Sequence, residues 1–214
     1  MNNERCNVIC RDITKAFDKV WHKGLKYKIL NNNFPEIIEK LLCNYLDNRF
    51  AKIKVNEHIG PPIPLKSGVP QGGILSPTLF IMFTADMPPP SAGCYNIIFA
   101  DDSTQVVTYP GKSKLMLARR TEREVEKINK YEQEWKIQTN KNKFQVISVS
   151  STKPINIQID NQRRPFDRTA TILGLTISTY GIKSHIKQRT GRARSQLQKL
   201  KRFKQLKSET IIRL

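Results

Sequence analysis

The sequence predicts an α+β fold, in which antiparallel strands pack on helices. Short apolar or alternating runs bounded by turn residues predict strands, and the clearest pair covers residues 94–99 and 104–109. Longer stretches with apolar residues at helical spacing predict helices, of which the longest covers residues 114–137. No internal repeat or low-complexity tract interrupts this mixture. Strands and helices combined in this way are typical of the α+β class.

The first half of the chain predicts one buried strand, three helices and one alternating strand. The apolar run Asn7–Cys10 predicts a buried strand that ends near Asp12, although an apolar residue would suit such a strand better than Arg11. Proline favours the first turn of a helix, and Pro35 and Pro77 each open a segment with helical spacing. Helices are expected over 21–31, 35–45 and 78–86, a strand over 50–55, a turn over 56–60 and a loop over 61–70.

The second half predicts a hairpin, a long helix, three short strands and a basic helix. The hairpin carries Asp101 and Asp102 at its tip. The last segment, residues 183–214, has eleven Lys or Arg and one acid, and its apolar residues form a helical stripe. We therefore expect a separate basic helical element from about His185. The short strands are expected over 144–149, 155–159 and 171–177, the last of them broken by Gly174.

The chain is strongly basic, which limits the partners it can have. Its 214 residues include 37 Lys or Arg against 18 Asp or Glu, a formal net charge of +19. Self-repulsion makes such an excess costly unless a polyanion binds. Nucleic acid is therefore the favoured partner, and an anionic membrane surface is the weaker alternative. A chain of this length can bury a core, either as one domain or as a domain with an appendage.

The lack of long apolar runs and the spacing of the cysteines predict an intracellular protein with no membrane partner. No run of 18 or more apolar residues is present, and residues 1–5 lack the apolar core that follows the start of a secretory signal. The four cysteines form no C-x-x-C pair and no Cys/His cluster, so a zinc site is not expected. We expect reduced, mostly buried thiols.

Acidic residues at two predicted strand ends indicate a metal site. Asp12 ends the first strand, and Asp101 and Asp102 lie between two others. Mg²⁺ uses one or two protein carboxylates and fills its other positions with water and substrate phosphates. Two such ions, roughly 3.5–4 Å apart, can stabilise the attacking and leaving oxygens of a phosphoryl transfer. An Asp-Asp pair alone is more often a solvated turn, but its apolar flanks and two further motifs reverse that interpretation.

Three segments, in this order, resemble a known family. They are Asp12–His22 (DITKAFDKVWH), Ser67–Phe80 (SGVPQGGILSPTLF) and Phe99–Asp102 (FADD). They are similar to the first three catalytic motifs of reverse transcriptases from non-LTR retrotransposons, especially the jockey-like elements of arthropods. In the third motif Phe99 replaces the usual tyrosine. The fourth and fifth motifs are resembled, less distinctively, by residues 140–143 and 172–174.

The resemblance implies an RNA-directed DNA polymerase that transfers dNTPs onto a primer 3′-OH with two Mg²⁺ ions, or with Mn²⁺ as an alternative. Asp12, Asp101 and Asp102 would be the catalytic residues and metal ligands, and the Ile13 carbonyl would be a further ligand. Phe17 would lie under the incoming sugar and clash with a 2′-hydroxyl. The implied partners are an RNA template, a DNA or RNA primer and dNTPs.

The resemblance also implies contacts to the incoming nucleotide and to the template and primer. The backbone N–H groups of Lys15 and Ala16 would face the triphosphate, as in an anion-binding nest. Gln71 would contact the nucleotide or the template, and Lys143 would protonate or neutralise the leaving pyrophosphate. Asp18 is expected to be structural or to pair with a nearby lysine. Template or primer contacts are implied for Gly72, Gly73, Leu173, Gly174, Arg192, Arg194, Lys199 and Lys201.

The implied architecture is a polymerase palm with partial fingers over residues 1–182, followed by the basic helical start of a truncated thumb over 183–214. The family's fingers normally lie upstream of the first motif, so we expect a fragment. Its location is expected to be intracellular, and nuclear at the site of integration if the element is active.

Two other hypotheses stay open at this point. One is a catalytically inactive, nucleic-acid-binding remnant of such an element, in which the acids are inherited and idle. The other is a different palm-type nucleotidyltransferase, such as an RNA-templated RNA polymerase. The bulky Phe17 disfavours the latter, because a ribonucleotide would clash with it. A group II intron maturase would share the motifs, but the jockey-like sequence of Asp12–His22 disfavours it.

Overall fold

A computed structural model describes residues 5–149, 154–160 and 162–202, with residues 201 and 202 described in backbone only. Helices and antiparallel strands are mixed along the described residues, and the α+β prediction is confirmed. The elements are β1 (Arg5–Asp12), α1 (His22–Leu30), α2 (Glu36–Leu46), β2 (Phe50–Ala51), β3 (Lys54–Val55), β4 (His58–Ile59), β5 (Ile63–Pro64), α3 (Ser76–Thr84), β6 (Cys94–Phe99), β7 (Asp102–Tyr109), α4 (Lys114–Glu134), β8 (Gln145–Val149), β9 (Ile157–Ile159), β10 (Gln162–Arg164), β11 (Thr169–Ile172), β12 (Leu175–Ser178) and α5 (Lys183–Arg202).

A four-stranded antiparallel sheet in the order β6-β7-β1-β8 is the centre of the fold. Strand β1 lies between β7 and β8, and α4 covers one face of it. Asn7 donates to the Thr121 hydroxyl of α4, and Arg11 donates to the Val125 carbonyl of the same helix. Because successive side chains of a strand point to opposite faces, Asp12 lies on the face of β1 away from α4.

Three apolar clusters hold the elements together. The first joins α1, α2 and α3 and includes the fully buried Leu25 and Phe83. The second fills the space between the sheet and α4, and the third lies on the opposite face of the sheet under β11. Burial of each large apolar side chain stabilises the fold by about 1.5–3 kcal/mol. The sheet is therefore packed on both faces.

A buried lysine connects the helices of the first cluster to α4. The Lys28 ammonium donates to the Phe83 carbonyl at 2.5 Å, to Asp86 at 2.5 Å and to the Tyr131 hydroxyl at 2.9 Å. It also lies 3.5 Å from the centroid of the Trp135 ring. Burial lowers the pKa of Lys28, and the hydrogen bond and charge of Asp86 oppose that change. These contacts fix α1 and α3 against the C-terminal half of α4.

Arg11 is accommodated in the buried strand by an ion pair with α4. Its side chain is 1% exposed, and its Nη1 donates to Glu132 at 3.2 Å and to the Asn129 amide oxygen at 2.9 Å. Burial lowers the pKa of the guanidinium, and the nearby Glu132 carboxylate opposes that change. Glu132 also accepts the Thr139 hydroxyl at 2.6 Å. The pair therefore ties β1 to both α4 and the connection that follows it.

The single strand expected over 50–55 is wrong, whereas the break expected at Gly174 in the last strand is present and is the turn of a hairpin. The segment 50–55 forms two separate strands, β2 and β3, which pair with β5 and β4 in different sheets. Asn56 has a φ of 53° and turns the chain back immediately after β3, so strands also occur in the expected turn and loop. The segment 171–177 is a hairpin, because Leu173 (φ 47°) and Gly174 (φ 80°) separate β11 from β12. Strand β10 was not expected, and it pairs with β9.

The basic helix begins at Lys183, two residues before the expected start. Its described side chains are exposed except for the partly buried His185, whose Nδ1 accepts the Thr176 N–H where the helix packs against β12. The remainder of the expected basic segment, 203–214, lies outside the described residues. Within the described part of the chain, no helix is long and apolar enough to cross a membrane.

All four cysteines carry free thiols. Cys10 and Cys94 are buried, and Cys6 and Cys43 are partly buried. Burial raises the pKa of Cys10 to about 11, so this thiol stays protonated at neutral pH.

The buried ion pair gives a stability prediction. We expect Glu132→Gln to lower the free energy of unfolding by about 3–5 kcal/mol, because the substitution leaves the Arg11 guanidinium buried without a counter-charge. Glu126→Gln is the matched control on the same helix, because Glu126 is 56% exposed and pairs only loosely with Lys130. The control is expected to cost less than about 1 kcal/mol. Urea unfolding of the full chain measures both, and equal losses would contradict the assigned role of the pair.

Candidate active site

The pairing of β1 with β7 brings the three predicted aspartates together. Asp12 and Asp102 are directly opposite each other in the antiparallel register. Opposed residues of such a pair have Cβ atoms about 4.5–5.5 Å apart on the same face of the sheet. The Ile13 N–H donates to the Asp101 carbonyl at 3.1 Å, which holds the hairpin tip against the end of β1.

The hairpin tip is a two-residue turn with an unusual backbone. Phe99 pairs with Asp102, so only Ala100 and Asp101 connect β6 to β7. Ala100 has a φ of 52°, a conformation that disfavours residues with a Cβ atom by about 1–2 kcal/mol. Pairing of the flanking residues on both sides maintains this conformation. Strained backbone of this kind is concentrated at functional sites.

The carboxylates repel one another, and Lys143 partly compensates them. Burial raises the pKa of Asp102, and the negative charges of Asp101 and Asp12 raise it further, whereas Lys143 lowers it. The Lys143 ammonium donates to Asp12 Oδ1 at 2.9 Å. That hydrogen bond, together with the charge of Asp12, raises the pKa of Lys143. Lys143 is therefore a cation held at the edge of the acidic group.

The connection between α4 and β8 places Lys143 beside Asp12. The Thr14 N–H donates to the Gln138 carbonyl, and the Asn140 N–H donates to the Asp12 carbonyl, each at 2.7 Å. Thr139 thus forms an isolated bridge with Ile13. The sequence predicted Asn140 only as the first residue of the fourth motif and predicted no role for Gln138 and Thr139, whose polar character and place before that motif are the only local signals.

The first motif continues into a tight turn that carries Phe17. Lys15 has a φ of 50°, and its carbonyl accepts the N–H groups of Asp18 and Lys19. Ala16 is buried in the first apolar cluster. The Phe17 ring lies 5.4 Å from the Phe80 ring, between centroids, in the wall of a cavity of about 550 Å³. Phe99 and Ala100 of the hairpin tip line the same cavity.

The loop of the second motif is hydrogen-bonded along this turn. The Val69 N–H donates to the Phe17 carbonyl at 2.7 Å, and the Gly68 N–H donates to the Val20 carbonyl at 2.9 Å. Gly68 has a φ of 92°, and a Cβ there would lie 2.8 Å from the Asp18 carbonyl oxygen, so only glycine fits. The Gln71 amide donates to Asp18 Oδ1 at 2.9 Å. Gln71 and Asp18 therefore connect the two motifs.

The residues expected to contact the template or the primer are divided among three regions. Gly72 (φ 81°) and Gly73 lie in the second-motif loop, where a Cβ on Gly73 would come 2.8 Å from the Ser76 hydroxyl. Leu173 and Gly174 form the exposed turn of the β11–β12 hairpin. The remaining four are on α5, where Arg192, Arg194 and Lys199 are exposed and Lys201 lies in the last turn.

The donor atoms at the strand ends suit a divalent cation. Within the described residues, no group of three or more His, Cys, Asp or Glu side chains is placed so that it could hold a metal ion. Mg²⁺ does not require one, because it needs only one or two carboxylates with water and phosphates. Asp12 and Asp102 supply that pair, with Asp101 adjacent. Burial raises the pKa of Asp102, and the negative charges of Asp101 and Asp12 add to this effect.

Comparison with known proteins gives a consistent result. Residues 2–177 match the family model described as reverse transcriptase (RNA-dependent DNA polymerase). The probable RNA-directed DNA polymerase from transposon BS of Drosophila melanogaster is 28% identical over an alignment of 228 positions, which covers 99% of this chain and 24% of the relative. The RNA-directed DNA polymerase from the mobile element jockey of the same species is 40% identical over 77 residues, 36% of this chain and 8% of the relative. The chain thus spans about a quarter of the length of the transposon BS relative.

Solved structures share the fold at low sequence identity. Apo telomerase from Candida tropicalis, truncated from its C-terminal domain, is 14% identical, with a TM-score of 0.59 over 84% of this chain and 35% of that one. The same telomerase in complex with a TWJ fragment of telomeric RNA gives a TM-score of 0.57, also at 14% identity, over 84% of this chain and 29% of that one. These likenesses support the predicted polymerase palm, and the relatives confirm the resemblance to jockey-like elements. The chain belongs to the reverse transcriptase (RNA-dependent DNA polymerase) family.

Proposed function

We propose that this chain is the palm part of an RNA-directed DNA polymerase of a non-LTR retrotransposon, which adds dNTPs to a primer 3′-OH. The observation that carries the proposal is the pairing of Asp12 with Asp102 beside Asp101, in a chain of the reverse transcriptase family. Reverse transcriptases generally use divalent metal ions. Two Mg²⁺ ions, or Mn²⁺, held by Asp12, Asp101, Asp102 and the Ile13 carbonyl would neutralise the charge that develops on the reacting phosphate.

Lys143 has the position and charge for a role toward the leaving group. Its side chain is 63% exposed, and its Nζ donates to Asp12. A flexible ammonium at the edge of the site can turn from the carboxylate toward pyrophosphate and neutralise it or give it a proton. The hydrogen bond to Asp12 keeps the ammonium protonated, since it raises the pKa of Lys143.

The cavity beside the hairpin tip is proposed to receive the sugar of the nucleotide. Phe17 packs against Phe80 of the first apolar cluster, and both rings line the cavity. A rigid aromatic ring excludes an added hydroxyl by steric overlap and so selects deoxynucleotides. The backbone of Lys15 and Ala16 would face the triphosphate. Gln71, whose amide donates to Asp18, would contact the nucleotide or the template.

Nucleic acid is the proposed partner of the basic surface. Helix α5 carries eight Lys or Arg and no acid, and its described side chains are exposed except for the partly buried His185. RNA as template and DNA or RNA as primer would contact this helix, the β11–β12 turn at Leu173 and Gly174, and the second-motif loop at Gly72 and Gly73. We propose a division into palm with partial fingers (1–182) and thumb start (183–214), and nuclear action at the integration site.

Removal of one carboxylate tests the catalytic proposal. We expect Asp101→Asn to lower dTTP incorporation on poly(rA)/oligo(dT) by about 10²-fold or more, because the substitution removes charge where the transition state needs it. Asp47→Asn is the matched control, since Asp47 pairs with Lys26 at the surface of the helical layer, and it is expected to retain activity.

Equal incorporation by wild type and Asp101→Asn would remove the assignment of Asp101. No incorporation by the wild-type chain, even with a fingers segment supplied in trans, together with tight salt-sensitive RNA binding would favour the inactive remnant.

Sugar selection tests the role of Phe17. We expect Phe17→Ala to lower the preference for dNTPs over rNTPs by about tenfold or more, because the truncated side chain no longer overlaps a 2′-hydroxyl. Ile81→Ala is the control, because Ile81 lines the same cavity and is largely exposed. Single-nucleotide extension with each substrate gives the ratio, and an unchanged ratio in Phe17→Ala would refute the steric role.

A further inference from the structure

A second cavity, of about 380 Å³, lies on the opposite side of β1 from the aspartates. It is enclosed by the C-terminal half of α4, the connection to β8 and the β9–β10 hairpin. Arg11 lines it, and Arg11 points toward α4 whereas its neighbour Asp12 points away. The cavity is therefore separate from the proposed polymerase site, and none of the roles described above uses it.

The walls of the cavity have an excess of positive charge. Its charged lining consists of four cations (Arg11, Lys141, Arg163 and Arg164) and two carboxylates (Glu132 and Asp160). Both carboxylates already have partners, because Glu132 accepts from Arg11 and Thr139, and Asp160 accepts from Asn129 and lies 3.8 Å from Lys141. The remaining charge favours an anionic ligand.

Two guanidinium groups in these walls have unused donors. Nε of Arg11 and Nε of Arg164 each have almost no accessible surface and no hydrogen-bond partner among the described residues, so each side chain would have to shift to present this donor to a ligand. Arg11 as a whole is 3% exposed. Both groups lie over the Phe144 ring, 5.3 and 5.6 Å from its centroid. A buried donor without a partner costs about 1–3 kcal/mol, and phosphate oxygens are preferred acceptors for guanidinium groups.

The volume of the cavity indicates a ligand larger than a bare anion. Cavities that bind small organic molecules measure about 300–1,000 Å³ and combine apolar walls with a few polar groups. Here Ile137, Ile159 and Pro165 supply apolar surface, and the amides of Gln133, Gln138 and Gln162 can donate and accept. We propose that this cavity binds an organic phosphate of nucleotide size, with its phosphate on Arg11 and Arg164.

Arginine side-chain NMR tests this proposal without any activity assay. The full chain, labelled with ¹⁵N at arginine, is titrated with dAMP in EDTA, so that no metal-dependent binding at the aspartates contributes. The Nε–Hε signals of Arg11 and Arg164, assigned with Arg11→Lys and Arg164→Lys, are expected to shift and saturate together. Absence of a shift, or a shift that rises linearly without saturation, would overturn the proposal. The result is independent of whether the chain polymerises.

A matched pair of variants distinguishes specific binding of dAMP in the cavity from non-specific electrostatic attraction of dAMP to a basic protein. Lys141→Gln is expected to weaken dAMP binding about tenfold, because Lys141 lines the cavity, whereas Lys130→Gln should weaken it less than twofold. Lys130 is an exposed lysine of α4 outside the cavity. Equal weakening by the two variants would overturn the proposal.

The size of the ligand and its source are tested in the same way. Inorganic phosphate is expected to bind at least about tenfold more weakly than dAMP, because it leaves the apolar walls uncovered. Equal affinity would overturn the assignment of a nucleotide-sized ligand. If a 5′-phosphorylated dinucleotide binds more tightly than dAMP, the proposed ligand is the phosphorylated end of a nucleic-acid strand. If dAMP binds more tightly, the proposed ligand is a free nucleotide.

Discussion

The antiparallel register between β1 and β7 determines where the acidic side chains of the site lie. It places Asp12 opposite Asp102 and lets Ile13 hold the hairpin tip through the Asp101 carbonyl. A shift of one residue would turn Asp12 toward α4, because the side-chain period of a strand is two. Apolar side chains specify this register, since Ile9 is buried under α4 and Val8 is buried on the opposite face. The core therefore positions the acids.

The same alternation explains why a charged residue is buried next to the site. With Asp12 directed away from α4, the preceding Arg11 must point into the protein, where Glu132 and Asn129 receive it. Glu132 also accepts the Thr139 hydroxyl. The backbone hydrogen bonds of the neighbouring Gln138 and Asn140 to the end of β1 then place Lys143 beside Asp12. One ion pair thus links the face that carries the acids to the face that encloses the second cavity.

Local patterns in the sequence were sufficient for some features and insufficient for others. The apolar run of β1, the hairpin around Asp101 and Asp102 and the period of α4 are encoded within short windows, and the structure has them close to the expected bounds. The pairing of Arg11 with Glu132 joins residues 121 positions apart, so no local pattern could reveal it. The splitting of residues 50–55 depends on a positive φ at Asn56 and on partners that become neighbours only in the fold.

The proposed function requires that Asp12, Asp101 and Asp102 form one binding site for divalent cations. Paramagnetic broadening by Mn²⁺ in the ¹⁵N-labelled chain measures this, because the effect falls steeply with distance from the ion. We expect substoichiometric Mn²⁺ to broaden the amide signals of Ile13, Asp101 and Asp102 first, and we expect Asp12→Asn to abolish this selectivity. Broadening centred elsewhere, or an identical pattern in Asp12→Asn, would contradict it.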